Sequence, residues 1–112
     1  MFALCTSGRN VGGFMAFVCK SQAVRPGQIA AFEVNGKIIA VANVDGTFFA
    51  VDNDCPHAGC SLSQGDLWGK VINCPCHGGQ FDLETGEVVG GPSREPVRCH
   101  ALLVEGDDVV TV

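Results

Sequence analysis

Short apolar runs punctuated by turn residues organise the chain. Met15 to Cys19 is followed by Arg25-Pro26-Gly27, Ile29 to Val34 by Asn35-Gly36, and Lys37 to Ala42 by Asp45-Gly46, after which comes Thr47 to Val51. Asn-Gly between two β-branched runs is a strong hairpin signal, because a type I′ turn needs positive φ at both central positions. This half predicts a β-meander. Residues 1–13 show no periodicity and contain Gly8, Gly12 and Gly13, so they are expected to be a weakly ordered leader, with the domain starting near Phe14.

Between Asp52 and Pro92 the pattern changes. Glycine stands at 59, 65, 69, 78, 79, 86, 90 and 91, and the apolar runs Lys70 to Asn73 and Gln80 to Leu83 are too short to carry a core of their own. The strand signature returns with Val97 to Glu105, a Gly106-Asp107-Asp108 turn and Val109 to Val112. No segment keeps apolar residues at helical spacing over three turns. The expectation is therefore an all-β fold, an antiparallel β-sandwich or barrel core, with a loop-rich cassette at about 52–92 inserted between its two parts. Function usually sits in such loops on a rigid scaffold.

Composition narrows the picture. The 112 residues suit one domain, 46% are apolar, and mean hydropathy is +0.25, enough to build a core without disulfides. Seven cysteines therefore need another explanation. Twelve acidic against seven basic residues give a net charge of −5 with no basic cluster, which argues against nucleic acid as a partner. No apolar run approaches the ~20 residues of a membrane span. The N-terminus lacks a basic region followed by an apolar one, so a cytoplasmic location is expected. There, clustered Cys and His are more often ligands than structural disulfides.

Two cassette sites repeat a theme: Cys55-Pro56-His57-Ala58-Gly59-Cys60 and Cys74-Pro75-Cys76-His77-Gly78-Gly79. As metal ligands they offer Cys55-x-His57 and Cys74-x2-His77, one thiolate and one imidazole from each loop. Such a set can close one tetrahedral zinc site or divide between two irons, thiolates on one and imidazoles on the other. Structural zinc sites usually grip with Cys-x(2-4)-Cys knuckles. A Cys-x-His pair is poorly suited to chelating a single ion and better suited to reaching neighbouring irons.

At this point the chain resembles the Rieske 2Fe-2S family. C-x-H, a spacer of 16 residues and C-x2-H match its motif, and Phe81-Asp82-Leu83-Glu84-Thr85-Gly86 and Gly91-Pro92-Ser93-Arg94-Glu95-Pro96 look like its strand-turn and its proline loop. The resemblance implies a single Rieske domain over 14–112 holding one 2Fe-2S cluster, with Cys55 and Cys74 on the inner iron and His57 and His77 on the outer. Replacing two thiolates by imidazoles removes two negative charges, so the added electron is less repelled, and Rieske potentials lie at about −150 to +300 mV. Cys60 and Cys76 occupy the positions where cytochrome bc-type members carry a disulfide between the cluster loops. Those members also place a Ser after His-Gly and a Tyr two residues on, whereas this chain has Gly79 and Phe81. Both hydroxyl donors are missing, so the expected potential lies below the bc-type range.

The remaining candidates receive plainer readings. Cys19 and Cys99 fall in predicted strands and are expected to pack as small hydrophobes; Cys5 has no assignable role. His100 is expected to be a surface or satisfied histidine, and Trp68 to pack beside the cassette rather than mark a docking surface. Asp52, Asp54 and Asp66 form either an ordinary solvated rim or a steering surface for a basic partner. After His57 and His77 only His100 remains, too few for the two-His-one-carboxylate iron of a Rieske oxygenase, so the chain is not expected to be an enzyme. The resemblance implies a soluble, monomeric one-electron carrier between a flavin reductase and a terminal oxygenase. The competing readings are a fixed subunit, nitrite reductase small subunit-like or bc-like, and a zinc-stabilised interaction module.

Overall fold

A computed structural model describes residues 16–55, 59–76, 78–91 and 95–111; the leader expected over 1–13 lies outside them. Among the described residues the strands are β1 (Phe17–Lys20), β2 (Ile29–Val34), β3 (Lys37–Val44), β4 (Thr47–Asp52), β5 (Asp66–Trp68), β6 (Val71–Asn73), β7 (Gln80–Asp82), β8 (Val88–Gly90), β9 (Cys99–His100), β10 (Leu102–Glu105) and β11 (Asp108–Thr111). They form three antiparallel sheets, ordered β1-β11-β10, β2-β3-β4-β9 and β5-β6-β7-β8. The helical content among these residues is two single 3-10 turns, Ser21–Ala23 and Leu62–Gln64. The all-β expectation holds.

The hairpins close where the turn chemistry put them. Val34 pairs with Lys37 around Asn35-Gly36, and Val44 with Thr47 around Asp45-Gly46. Asn35 and Asp45 have φ of 53° and 51°, and the glycines after them 80° and 93°, the positive pair a primed turn requires. Asn43 reinforces the second turn, accepting the Gly46 N–H on Oδ1 at 2.7 Å.

The central parts of β3 and β4 are buried on both faces of their sheet, which explains why Ile39-Ala40-Val41-Ala42 and Phe48-Phe49-Ala50-Val51 do not alternate with polar residues. Ile39, Val41, Phe48 and Ala50 point one way, onto Val18, Cys19, Leu102 and Val109 of the β1-β11-β10 sheet. Burial there pushes the Cys19 thiol pKa up. Ala40, Ala42, Phe49 and Val51 point the other way, onto Cys55, Leu62, Ile72, Cys74, Phe81 and Leu83 of the cassette. Each large apolar side chain buried this way contributes about 1.5–3 kcal/mol. The short cassette strands are thus completed by the central sheet.

One expected run is divided. Val97 to Glu105 is not a single strand: Cys99–His100 pairs with β4, and after Ala101 the chain continues as β10 on β11 in the other sheet. The run feeds two sheets, so its apolar residues serve two cores. Cys99 lies in the cassette-side core and Leu102 in the other.

Candidate metal centre

Two six-residue loops, 55–60 after β4 and 74–79 between β6 and β7, carry the candidate ligands, and both are folded on one hydrogen-bond plan. Cys55 N–H donates to Cys60 O at 2.8 Å, and Cys55 O accepts from Gly59 N–H at 2.7 Å. Cys74 N–H donates to Gly79 O at 2.7 Å, and Cys74 O accepts from Gly78 N–H at 3.2 Å. The fifth residue of each loop has positive φ, 70° at Gly59 and 72° at Gly78, which glycine meets without a Cβ penalty. The repeated Cys-Pro and the glycine four residues after the cysteine are the sequence trace of this plan.

Each loop stands on a stem that begins with an asparagine. Asn53 is buried; its N–H donates to Ile38 O at 3.2 Å, its carbonyl accepts Leu62 N–H at 2.7 Å, and its Oδ1 accepts Ser63 N–H at 3.1 Å. One residue thereby ties the entry of the first loop to its exit, beside the Asp54–Ser61 bridge. In the second loop Asn73 pairs with Gln80 across β6 and β7, and Gln80 Nε2 donates to Asn73 Oδ1 at 3.0 Å. Sequence reasoning missed both asparagines, because a polar residue before a ligand loop looks like any other loop residue.

The plan brings Cys55 and Cys74, 2% and 3% exposed, into one apolar core with Leu62, Ile72, Phe81 and Leu83. Two thiolates in such surroundings are costly unless a cation neutralises them, so the donor set fits a thiolate-bound metal group. His57 and His77 lie outside the described residues, and the described residues alone contain no cluster of three or more metal-binding side chains. Cys60 and Cys76 form a disulfide with Cα atoms 6.3 Å apart, joining the end of the first loop to the third residue of the second. Cys55 and Cys74 are outside it.

The second loop is also packed from above. A Cβ on Gly91 would lie 2.4 Å from Gly78 O and 2.7 Å from Gly79 Cα, so β8 leaves the sheet in direct backbone contact with the loop. Gly79 is roomier: a Cβ there would meet the Phe81 ring at 3.4 Å and Cys74 Cβ at 3.7 Å. Phe81 is fully buried.

The other singled-out residues divide. Asp52 is a hub at the base of the first loop, bound to His100 Nε2 at 2.6 Å and Lys37 Nζ at 3.2 Å; His100 is thereby satisfied, as expected. Trp68 corrects its expectation, being 64% exposed rather than packed. In the three-residue strand β5, Leu67 pairs with Ile72 and takes the core face, so its neighbour must face out.

Comparison with known proteins agrees with this geometry. The family description "Rieske [2Fe-2S] domain" matches residues 14–101. The ferredoxin component of biphenyl 2,3-dioxygenase from Rhodococcus jostii (strain RHA1) is 38% identical over 93 residues, 83% of this chain and 87% of that protein. Among solved structures, the ferredoxin of carbazole 1,9a-dioxygenase from Nocardioides aromaticivorans IC177 is 30% identical with a TM-score of 0.83, covering 88% of this chain and 97% of that one. A ferredoxin solved in a complex of reduced oxygenase and oxidised ferredoxin of carbazole 1,9a-dioxygenase is 34% identical with a TM-score of 0.79, covering 86% and 99%.

Proposed function

The chain belongs to the Rieske [2Fe-2S] domain family, and from that premise we propose that Cys55 and Cys74 hold the inner iron of its cluster and His57 and His77 the outer one. The cofactor is a Rieske-type 2Fe-2S cluster, and the relatives are ferredoxin components of oxygenase systems. When bound, the cluster accepts and returns one electron. The chain's own residues set the conditions for this. The buried loop cores shield the two cysteine sulfurs from water, and the loop frames hold them at equivalent positions. The disulfide keeps the loops from parting.

The physiological role we propose is soluble, cytoplasmic one-electron transfer from a flavoprotein reductase to a terminal oxygenase, by one domain spanning 14–112 whose cluster-binding part is about 52–92. No helix among the described residues is long and apolar enough to cross a membrane. The observation that carries the ligand assignment is the shared frame that puts Cys55 and Cys74 at the same loop position in one apolar core. Gly79 and Phe81 supply no side-chain donor, which leaves the backbone N–H groups of the glycine-rich loops to reach the sulfurs. The expected potential is below +200 mV, near the top of the family range. Voltammetry of the brown, iron-loaded protein tests this; a higher value, or a colourless zinc-loaded protein, contradicts it.

A further inference from the structure

The Cys60–Cys76 disulfide is unevenly presented to solvent. Cys76, third in the second loop, is exposed, as are Pro75 before it and Gly78 two residues on. Cys60, at the end of the first loop, is half-buried and packs against the apolar core that holds Cys55 and Cys74. Its carbonyl accepts the Cys55 N–H at 2.8 Å, and Leu62, two residues further, is fully buried. One half of the bond therefore stands on an open loop, and the other is built into the core. The cysteines proposed as ligands, 2% and 3% exposed, are out of reach of a bulky reagent.

Thiol–disulfide exchange proceeds by attack of an outside thiolate on one sulfur of the bond, and access helps decide which sulfur is attacked. Exposed disulfides are also the more readily reduced ones. The cytoplasm proposed above keeps thiols reduced, and the disulfides found there are mostly catalytic or redox-sensing. Opening the bond takes two electrons, one more than the chain's own cluster passes at a time. The reductant is therefore a second molecule, and it meets Cys76 first.

We propose that Cys76 is the site at which a dithiol protein of the Cys-x-x-Cys class opens this disulfide, and that opening it loosens the hold on the cluster; only the second half rests on the electron-carrier reading above. The attacking thiolate bonds to Cys76 Sγ, the S–S bond breaks, and Cys60 leaves as a thiolate that takes a proton from water. The reagent's second thiol, as thiolate, then displaces Cys76, which is protonated in turn. The dithiol ends as its own disulfide, and the chain has gained two electrons and two protons as two thiols. Each loop keeps its own hydrogen-bond frame, but the covalent link between the loops is gone.

The attacked atom is read on the cluster-loaded full chain, mixed under argon with a Cys-x-x-Cys oxidoreductase whose second cysteine is changed to serine, so that the reaction stops at the mixed disulfide. Peptide mass mapping is expected to place the reagent on Cys76. Attachment to Cys60 instead, or no attachment while the urea-unfolded chain reacts, overturns the proposal. The intact oxidoreductase, kept reduced, should then speed the loss of visible absorbance to an iron chelator about tenfold, a fraction of the restraint that a closed loop of about 15 residues supplies. The same treatment should leave the rate of a Cys60→Ser, Cys76→Ser variant unchanged. An unchanged rate in the parent, or equal acceleration in the variant, overturns the effect on the cluster. Absence of the Rieske EPR signal in the parent would instead refute the carrier reading and leave the mapping result standing, so the two failures are separable.

Discussion

The two candidate ligand loops share one hydrogen-bond plan among their described residues and differ in their side chains, and the difference assigns their work. Position by position, 55–60 reads Cys-Pro-His-Ala-Gly-Cys and 74–79 reads Cys-Pro-Cys-His-Gly-Gly. The residues that match are cysteine first, proline second and glycine fifth, and the cysteine and the glycine take part in the common hydrogen-bond plan. Those that differ carry the second candidate ligand, at the third position in one loop and the fourth in the other, and the two halves of the disulfide. The surroundings differ too. Among the described residues nothing lies within 4 Å of a Cβ placed on Gly59, whereas the second loop is pressed by Gly91 against Gly78 and Gly79. One loop is held mainly at its stem by Asn53, and the other also from above.

Breaking the matched positions should have the largest effect. Cys55→Ser and Cys74→Ser should each abolish the cluster, seen as loss of visible absorbance and of two irons per chain, with equal severity because the loops are equivalent there. Retained colour in either would end that equivalence.

Next comes the asymmetry in packing. Gly91→Ala must displace the second loop's backbone and is expected to cost about 2–4 kcal/mol, within the range of severe single substitutions. Gly59→Ala meets no neighbour among the described residues and should cost only the positive-φ penalty, about 1–2 kcal/mol. Denaturant unfolding of the two variants ranks them; the reverse order would sink the account of the second loop.

The brace gives a conditional effect. Removing it as Cys60→Ala, Cys76→Ala releases a closed loop of about 15 residues, worth about 3 kcal/mol by chain entropy. With the proposed ligands the cluster would tie the same two loops, so the cost should be large in apoprotein and clearly smaller in holoprotein. Equal losses in both forms would show that cluster and disulfide do not share the restraint.

The smallest effect is electronic. Gly79 has room for a Cβ beside Cys74, so Gly79→Ser can present a hydroxyl there. One added hydrogen bond of about 1.4 kcal/mol would raise the potential by about 60 mV for one electron. The counterpart end of the first loop, Cys60, is committed to the disulfide and offers no such site. No shift, or a fall, would mean the hydroxyl does not reach a sulfur that the electron senses.

How legible this was varied with the physics involved. The β2-β3-β4 meander follows from Asn35-Gly36 and Asp45-Gly46, where turn chemistry and strand pattern agree. β5 and β8 are three residues long and contain or border glycine, so no periodicity marks them; they exist because the central sheet offers a face to cover. Trp68 was misplaced for the same reason, since in so short a strand only pairing with β6 decides which of Leu67 and Trp68 is inside. The candidate ligands were readable because metal chemistry fixes residue type and spacing. The asparagine stems and the contact between Gly91 and the second loop were not, because they depend on backbone geometry that many sequences could supply.

The central claim is that one cluster is shared between a cysteine pair and a histidine pair contributed by two like-framed loops. Pulsed EPR of dithionite-reduced protein labelled with 15N-histidine tests it most directly. The account predicts hyperfine coupling from two histidine nitrogens in the parent chain, and the loss of one of them without the other in a His57 or His77 variant that retains its cluster. A reduced cluster showing no histidine nitrogen coupling would contradict it.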